Sequence, residues 1–373
     1  MRVRIGSAVA LCLMVIVGIS APIQAAAAGR DLGRQTLSPS DGWAAAEGGT
    51  TGGAAADAEH VYVVSTWQEF RDALGGDSAR GDTTARIIYI EGEINANTDA
   101  QGNVLTCEDY AQGTGYSLEA YLAAYDPAVW GTEEEPAGPL EDARDAAADN
   151  QADQICQYVG SNVTIVGLDD DARFVGANLV VRDSDNVIIR NIEFSDAYDC
   201  FPQWDPTDGD TGNWNSAYDN LWIANSTHVW VDHNTFNDGE HPADSLPTYF
   251  GRKFEVHDGL LDITNAADLV TVSYNVFENH DKVMLIGSSN NPKIPDRGKL
   301  RVTIHHNLFE DMGQRTPRVR FGQVHIYNNC YVEPSAEGYS YSWGVGVESQ
   351  IYAENNSFEL ADGIDPADVI RHW

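Results

Sequence analysis

Short apolar runs rich in Val and Ile, each closed by Asn, Asp or Gly, recur from residue 162 to the end of the chain. With Val187, Val229, Val270, Val302, Val324 and Ile351 set in one column, the position seven residues on is always aromatic: Phe194, Phe236, Phe277, Phe309, Tyr331 and Phe358. The position five residues on is Ile192 and then, without a break, Asn234, Asn275, Asn307, Asn329 and Asn356. Val163, heading Val163-Thr-Ile-Val166, fits an earlier turn of the same repeat. Runs this short, β-branched and flanked by turn formers predict strands rather than helices. The column starts lie 42, 41, 32, 22 and 27 residues apart. A short minimum with variable excess is what a solenoid shows when loops of unequal length leave one face. Stacked turns hold equivalent strands about 4.8 Å apart. An Asn recurring at one bend can then hydrogen-bond its copies above and below, while the aromatic column stacks inside. The pattern predicts an all-β chain, a single-stranded right-handed parallel β-helix.

Before residue 162 the texture differs. Residues 29–60 are rich in Gly, Ala and Thr and predict irregular chain. Residues 61–64 and 87–90 read as strands, and 67–74 between them carry helical spacing. Helix-compatible stretches at 117–124 and 140–157 overlap an acidic, alanine-rich segment, 107–155, which predicts a capping excursion. The start differs again: Arg2 and Arg4, an apolar run over 8–19, then Ala25 to Ala28. A basic tip, a short apolar core and small residues predict a secretory signal peptide over roughly residues 1–28. That run is too short for a transmembrane helix. One exported domain over 29–373 is expected to follow.

Charge changes the picture. The chain has 57 acidic residues against 22 basic ones, a net charge of −35. Such a surface repels nucleic acid and anionic membranes, so neither is an expected partner, and nothing in the pattern points beyond a monomer. Export also matters for the cysteines. With Cys12 removed in the leader, Cys107, Cys156, Cys200 and Cys330 could form two disulfides in three connectivities. Cys107–Cys156 with Cys200–Cys330 is the pairing preferred at this stage.

In so acidic a chain, clustered cations stand out. Lys282 lies 12 residues past Val270 and Arg315 lies 13 past Val302, nearly equivalent places on successive coils. Arg320 is expected at the start of the next short strand, in Arg315-Thr-Pro-Arg-Val-Arg-Phe-Gly322. Asp258 and Asp262 stand in His257-Asp-Gly-Leu-Leu-Asp-Ile263, and Asp219 closes Asn215-Ser-Ala-Tyr-Asp219. Residues four apart on a straight strand are about 13 Å apart, so Asp258 and Asp262 could share one cation only across a bend. His305 and His306 are adjacent and face opposite sides of a strand. With no His-x-x-x-His or Cys pair beside them, they read as structural rather than as zinc ligands.

These segments resemble the pectate lyase family of parallel β-helix polysaccharide lyases, most closely its Bacillus-type members. The resemblance is carried by Val229-Trp-Val-Asp-His233, His257-Asp-Gly-Leu-Leu-Asp262, His280-Asp-Lys282 with Leu285-Ile-Gly-Ser288, and Arg315 to Gly322. Phe201-Pro-Gln-Trp-Asp-Pro-Thr-Asp-Gly209, Asn213-Trp-Asn-Ser216 and Asp31-Leu-Gly-Arg-Gln-Thr-Leu37 add to it. It covers essentially all of the chain after the leader. Carried over residue by residue, it implies Ca²⁺ held by Asp219, Asp258 and Asp262, with Asp208 a further candidate for an ion arriving with substrate. It implies Arg315 as the catalytic base, and Lys282 and Arg320 on the uronate carboxylates.

The implied substrate is polygalacturonate, cut by β-elimination to 4,5-unsaturated products. Removing a proton beside a carboxylate builds a second negative charge there, which a divalent cation and fixed cations can stabilise. This also answers how a protein of charge −35 approaches a polyanion: through Ca²⁺ and a local cationic strip. An arginine base is demanding, since arginine ordinarily loses its proton only above about pH 12; neighbouring cations ease that loss, so activity is expected to rise into the alkaline range. A pectin lyase would share the fold but take esterified chains without calcium. A polygalacturonase would hydrolyse with paired carboxylic acids, and a non-catalytic solenoid would bind wall polysaccharide without turnover.

Overall fold

The computed structural model describes residues 31–373, and the leader expected over 1–28 lies outside the described residues. Each repeat folds as three short strands separated by bends, and equivalent strands stack in parallel. The first sheet has nine strands: Val61–Val64, Arg86–Ile90, Val163–Gly167, Asp185–Arg190, Thr227–Asp232, Asp268–Ser273, Arg301–His305, Gln323–Tyr327 and Gln350–Glu354. The second and third sheets have eight strands each, in the same axial order. The chain is a parallel β-helix.

The sequence column is the register of the first sheet. Val187 pairs with Val229, Val229 with Val270, Val270 with Val302, Val302 with Val324 and Val324 with Ile351. Val163 pairs with Val187, so the turn suggested there exists, and two more strands precede it. After each of the last six first-sheet strands the backbone turns through one left-handed residue: Asn191, His233, Tyr274, His306, Asn328 and Asn355 all have φ near +55°. The next residue is the ladder position. The backbone N–H groups of Ile192, Asn234, Asn275, Asn307 and Asn329 each donate to the side-chain oxygen of the Asn one coil on, at 2.9–3.1 Å. The bend would otherwise leave those buried N–H groups unpaired, at about 1–3 kcal/mol each.

Two residues further on, Phe194, Phe236, Phe277, Phe309, Tyr331 and Phe358 stack inside with centroids 4.4–5.1 Å apart and planes within 9°. Outside, the left-handed residues stack as well: Tyr274 lies 4.9 Å from His233 and 4.8 Å from His306. His305 is buried and stacks on Tyr327 at 4.9 Å. The two imidazoles do not face opposite sides as a straight strand would require: His306 turns into the left-handed conformation at the bend, and its Nδ1 lies 2.8 Å from His305 Nδ1.

Helix α1, Trp67–Leu74, closes the first coil by setting Phe70 against Phe174 at 4.7 Å. Its N-cap Thr66 accepts from Glu69 N–H, and Gly75 ends it in the left-handed conformation. The acidic excursion holds α2, Cys107–Ala111, α3, Leu118–Tyr125, and α4, Pro139–Ile155. The stretches expected at 117–124 and 140–157 thus shift by a residue or two, the last residues of the second becoming strand Cys156–Tyr158. The excursion has its own core, in which Tyr121, Tyr125, Trp204, Trp214, Phe254 and Val256 are buried.

The expected disulfides are overturned. Cys107 is bonded to Cys200, 93 residues away, and Cys156 and Cys330 carry thiols. The reason is topological: α2 packs beside α4 and brings Cys107 to the Cys200 loop. Cys156 instead opens a solenoid strand, where burial pushes its thiol up to about 12. Cys330 begins the second-sheet strand Cys330–Glu333, elsewhere in the solenoid.

Candidate active site

Where the second sheet hands over to the third, the coils present charged groups on the outer surface. Asp219 precedes the strand Leu221–Ala224, and Asp262 lies within Leu261–Thr264, one coil on. Asp258 stands in the irregular bend before that strand, so Asp258 and Asp262 are separated by the bend their spacing required. Gly259 sits between the carboxylates. A Cβ placed on it would lie 2.7 Å from Asp262 Oδ1 and 2.8 Å from Asp219 Oδ1, so both oxygens flank the same point and any larger residue would fill it.

Each buried carboxylate is aimed by a main-chain donor. Gly259 N–H donates to Asp219 Oδ1 at 2.7 Å, and Leu285 N–H donates to Asp262 Oδ1 at 2.8 Å. Asp219 and Asp262 are each only 7% exposed, and Asp258 is half-buried. Burial first, and then the charges of Asp262 and Asp258, push the Asp219 carboxyl well above the usual range. Burial and Asp258 push Asp262 up to about 7. The charge of Arg315 offsets only part of the opposition among the three carboxylates, and a divalent cation relieves the rest. The donor set is all oxygen, which suits a hard cation, and the residues fit Ca²⁺. The trio is open: among the described residues, the His/Asp/Glu group with ligand atoms mutually within 4.8 Å is Asp57, Glu59 and His60, on exposed chain before the first strand.

Across from the carboxylates stand the cations. Lys282 ends the strand Val276–Lys282 and pairs in register with Gln314, so Arg315 lies one residue beyond its equivalent position. Lys282 Nζ is 3.5 Å from Glu255 Oε2. Arg315 has φ +62°, and its carbonyl accepts from Met284 N–H at 2.8 Å. Its Nε is buried and makes no hydrogen bond among the described residues. Arg320 follows the two-residue strand Arg318–Val319 rather than opening it, because the chain leaves the sheet at once. Its Nε donates to Asn290 Oδ1 at 3.0 Å and its guanidinium to Gly287 O at 2.9 Å. Burial, then the charges of Arg318 and Arg315, lower Arg320 to about 10.

Sequence reasoning passed over Arg318, although it stands inside the quoted segment. Register is the signal that finds it: Asp262 is level with Leu285, and Leu285 pairs with Arg318, so one outward column carries Asp262 and, two coils on, Arg318. Its guanidinium lies 4.2 Å over the ring of Trp373. Asp208 is placed differently from the other carboxylates, in the exposed turn joining Gln203–Asp205 to Asn213–Asn215, where it accepts from Asn213 at 3.4 Å.

Beneath Asp258 lies a second pair, of which His280 stands in a segment already quoted while Asp238 has no local signature. His280 is buried and bridges Asp238 Oδ1, 2.6 Å away, and the carbonyl oxygen of Asp258, 2.9 Å away. Burial alone would lower His280, but Asp238 outweighs it and holds the imidazole up at about 9.

The comparisons with known proteins agree with this architecture. The pectate lyase family model matches residues 19–113 and 137–371. A pectate lyase of Bacillus subtilis (strain 168) is 49% identical over 343 residues, covering 91% of this chain and 80% of that protein. Pectate lyase E of Dickeya chrysanthemi is 36% identical over 355 residues, covering 94% of this chain and 74% of that protein. Among solved structures, a thermostable pectate lyase superimposes with a TM-score of 0.89 at 50% identity, covering 92% of this chain and 82% of that one. A pectate lyase bound to a hexasaccharide gives 0.87 at 48%, covering 92% and 85%.

Proposed function

The chain belongs to the pectate lyase family, and from that premise we propose that it is a calcium-dependent enzyme cleaving (1→4)-α-D-galacturonan by β-elimination. It releases 4,5-unsaturated oligogalacturonides. The single observation that carries this reading is the opposition of two charge groups on one face. Asp219 and Asp262 flank Gly259 with Asp258 beside them, and the charges of Arg315 and Arg320 reach those carboxylates.

Asp219, Asp258 and Asp262 would hold Ca²⁺. Bound there, the ion supplies positive charge to a uronate carboxylate and stabilises the negative charge built beside it. Lys282 and Arg320 orient that carboxylate; Arg320 is itself fixed by Asn290 and Gly287. Arg315, with its Nε otherwise unpartnered, takes the proton from C5. The C4–C5 double bond forms as the C4–O bond breaks, and the leaving oxygen takes a proton from water. Arg318 adds charge to the same strip and contributes to lowering Arg320. The polymer thus meets cations although the protein as a whole carries −35. Export after removal of residues 1–28, and action as a monomer, complete the reading. No helix among the described residues is long and apolar enough to cross a membrane.

The test follows ultraviolet absorbance of unsaturated product from polygalacturonate at alkaline pH, with Ca²⁺ and then with excess chelator. A rise that needs Ca²⁺ and falls about 10²–10⁴-fold in Arg315→Ala is expected. New reducing ends without absorbance would mean hydrolysis. Binding without cleavage by folded protein would make the chain a polysaccharide-binding solenoid.

A further inference from the structure

Asp258 lies outside any strand, so no ladder of sheet hydrogen bonds fixes it. Its N–H donates to Tyr218 O at 3.1 Å. Asp219 and Asp262 are aimed through their carboxylates by main-chain donors, whereas the Asp258 carboxylate makes no hydrogen bond among the described residues. Its direction is therefore set through its own backbone. On the other side of that backbone, the Asp258 carbonyl accepts from His280 Nε2 at 2.9 Å.

His280 is itself held. Its Nδ1 lies 2.6 Å from Asp238 Oδ1, and the two side chains are 3% and 2% exposed. A carbonyl and a carboxylate only accept hydrogen bonds, so both ring nitrogens donate and the ring cannot turn without losing one partner. Next to Asp258 in sequence, His257 is hydrogen-bonded through one nitrogen, Nε2, 3.0 Å from Asp196 Oδ1, while its Nδ1 stands 3.6 Å from Asp238 Oδ1, beyond hydrogen-bond reach. Two buried imidazole–carboxylate pairs, His280–Asp238 and His257–Asp196, thus flank the bend that carries Asp258.

We propose that His280, oriented by Asp238, is a positioning residue that fixes the Asp258 carbonyl and thereby directs the Asp258 carboxylate into the calcium site. The inference rests on the reading of Asp219, Asp258 and Asp262 as calcium ligands. It gives a buried polar pair outside the reaction a defined effect on metal affinity, as outer partners of metal ligands commonly have.

The test is titration calorimetry with Ca²⁺ alone on the full chain, scoring the heat that Asp262→Asn abolishes. His280→Gln puts an amide nitrogen where Nε2 stands and keeps a donor to Asp258; His280→Asn reaches only toward Asp238. The Gln variant is expected to stay within about threefold of wild type, while Asn and Ala variants weaken binding by about 10–100-fold. Unfolding midpoints in chelator are measured in parallel. A merely structural role would lower the Gln and Asn midpoints without separating their affinities, and that result overturns the proposal. So does an Asn variant that binds better than Gln. If His280→Ala does not fold, the Gln and Asn pair decides alone. Absence of Asp262-dependent heat in wild type removes the calcium reading and this inference with it. Wild-type heat with indifferent variants removes this inference only.

Discussion

Glu333 is a buried carboxylate whose surroundings oppose ionisation at alkaline pH. It ends the strand Cys330–Glu333, is 2% exposed, and accepts from Met312 N–H at 3.0 Å through one oxygen. The other oxygen has no hydrogen-bond partner among the described residues. Burial raises the carboxyl to about 8, above the 4.5 of an exposed glutamate, with Asp311 adding to the effect. A carboxyl raised in the folded state is best tolerated protonated. Its contribution to stability is complete below about pH 4.5 and is lost as pH climbs through about 8. Glu333→Gln removes the titration but keeps an acceptor for Met312. The unfolding midpoint of the variant, relative to wild type, should therefore rise from pH 5 to pH 9. At about 1.4 kcal/mol per pKa unit the difference is on the order of a few kcal/mol. Parallel curves across that range would show that Glu333 does not titrate in the folded protein. Nothing in the sequence singles out Glu333 among 57 acidic residues; its character comes from the coil that covers it. Asp219, Asp258 and Asp262 were legible as a set only through family resemblance, since the spacing of Asp258 and Asp262 says that a bend is needed between them but not that one is there. His280 stood inside a quoted segment, but Asp238, its partner 42 residues earlier, had no local signature.

At the scale of the element, the legible part of the fold is the part that repeats with a chemical necessity. One bend needs a left-handed residue followed by a side chain that can satisfy main-chain groups on both sides, and the layer behind it needs a flat ring. Asn and Phe columns follow, and they matched the register without a slip. Third-sheet strands such as Leu285–Ile286 and Arg318–Val319 are two residues long, too short for any alternation to show. That is why Arg320 was misplaced by its position relative to a strand, and why the Asp262–Arg318 column went unseen. The disulfide was illegible for another reason, because Cys107 and Cys200 meet through tertiary packing of the excursion. The ladder invites measurement. Asn307 accepts from the N–H and the side-chain amide of Asn275, and donates to Val272 O, His305 O and Asn329 Oδ1. Asn307→Ala leaves at least one buried N–H and one buried carbonyl short of a partner, at about 1–3 kcal/mol each, so denaturant unfolding should show a loss of about 3–5 kcal/mol. Asn356 is half-buried at the last rung, where water can replace it, and Asn356→Ala should cost about 1 kcal/mol. Equal losses at the two sites would mean that the ladder is not what holds the bends.

At the scale of the molecule, composition and site pull in opposite directions. A chain of net charge −35 repels a polyanionic polymer at long range, while the strip of Lys282, Arg315, Arg318 and Arg320 attracts it at contact. Salt separates the two. The screening length is about 30 Å at 0.01 M and about 8 Å at 0.15 M, so added salt quenches repulsion between whole molecules first. Contacts within a partly buried site are screened much less. At fixed saturating Ca²⁺, kcat/KM for polygalacturonate should therefore rise several-fold between about 10 and 150 mM NaCl, through KM rather than kcat. A trigalacturonate, with far less charge to repel, should respond weakly. If instead kcat/KM falls steeply with salt for both substrates, the local strip governs encounter, and the acidic surface is irrelevant to substrate capture. The polymer–trimer comparison keeps the outcome specific, because a change in Ca²⁺ occupancy or in the reaction itself would move both substrates together, whereas long-range repulsion acts on the polymer alone.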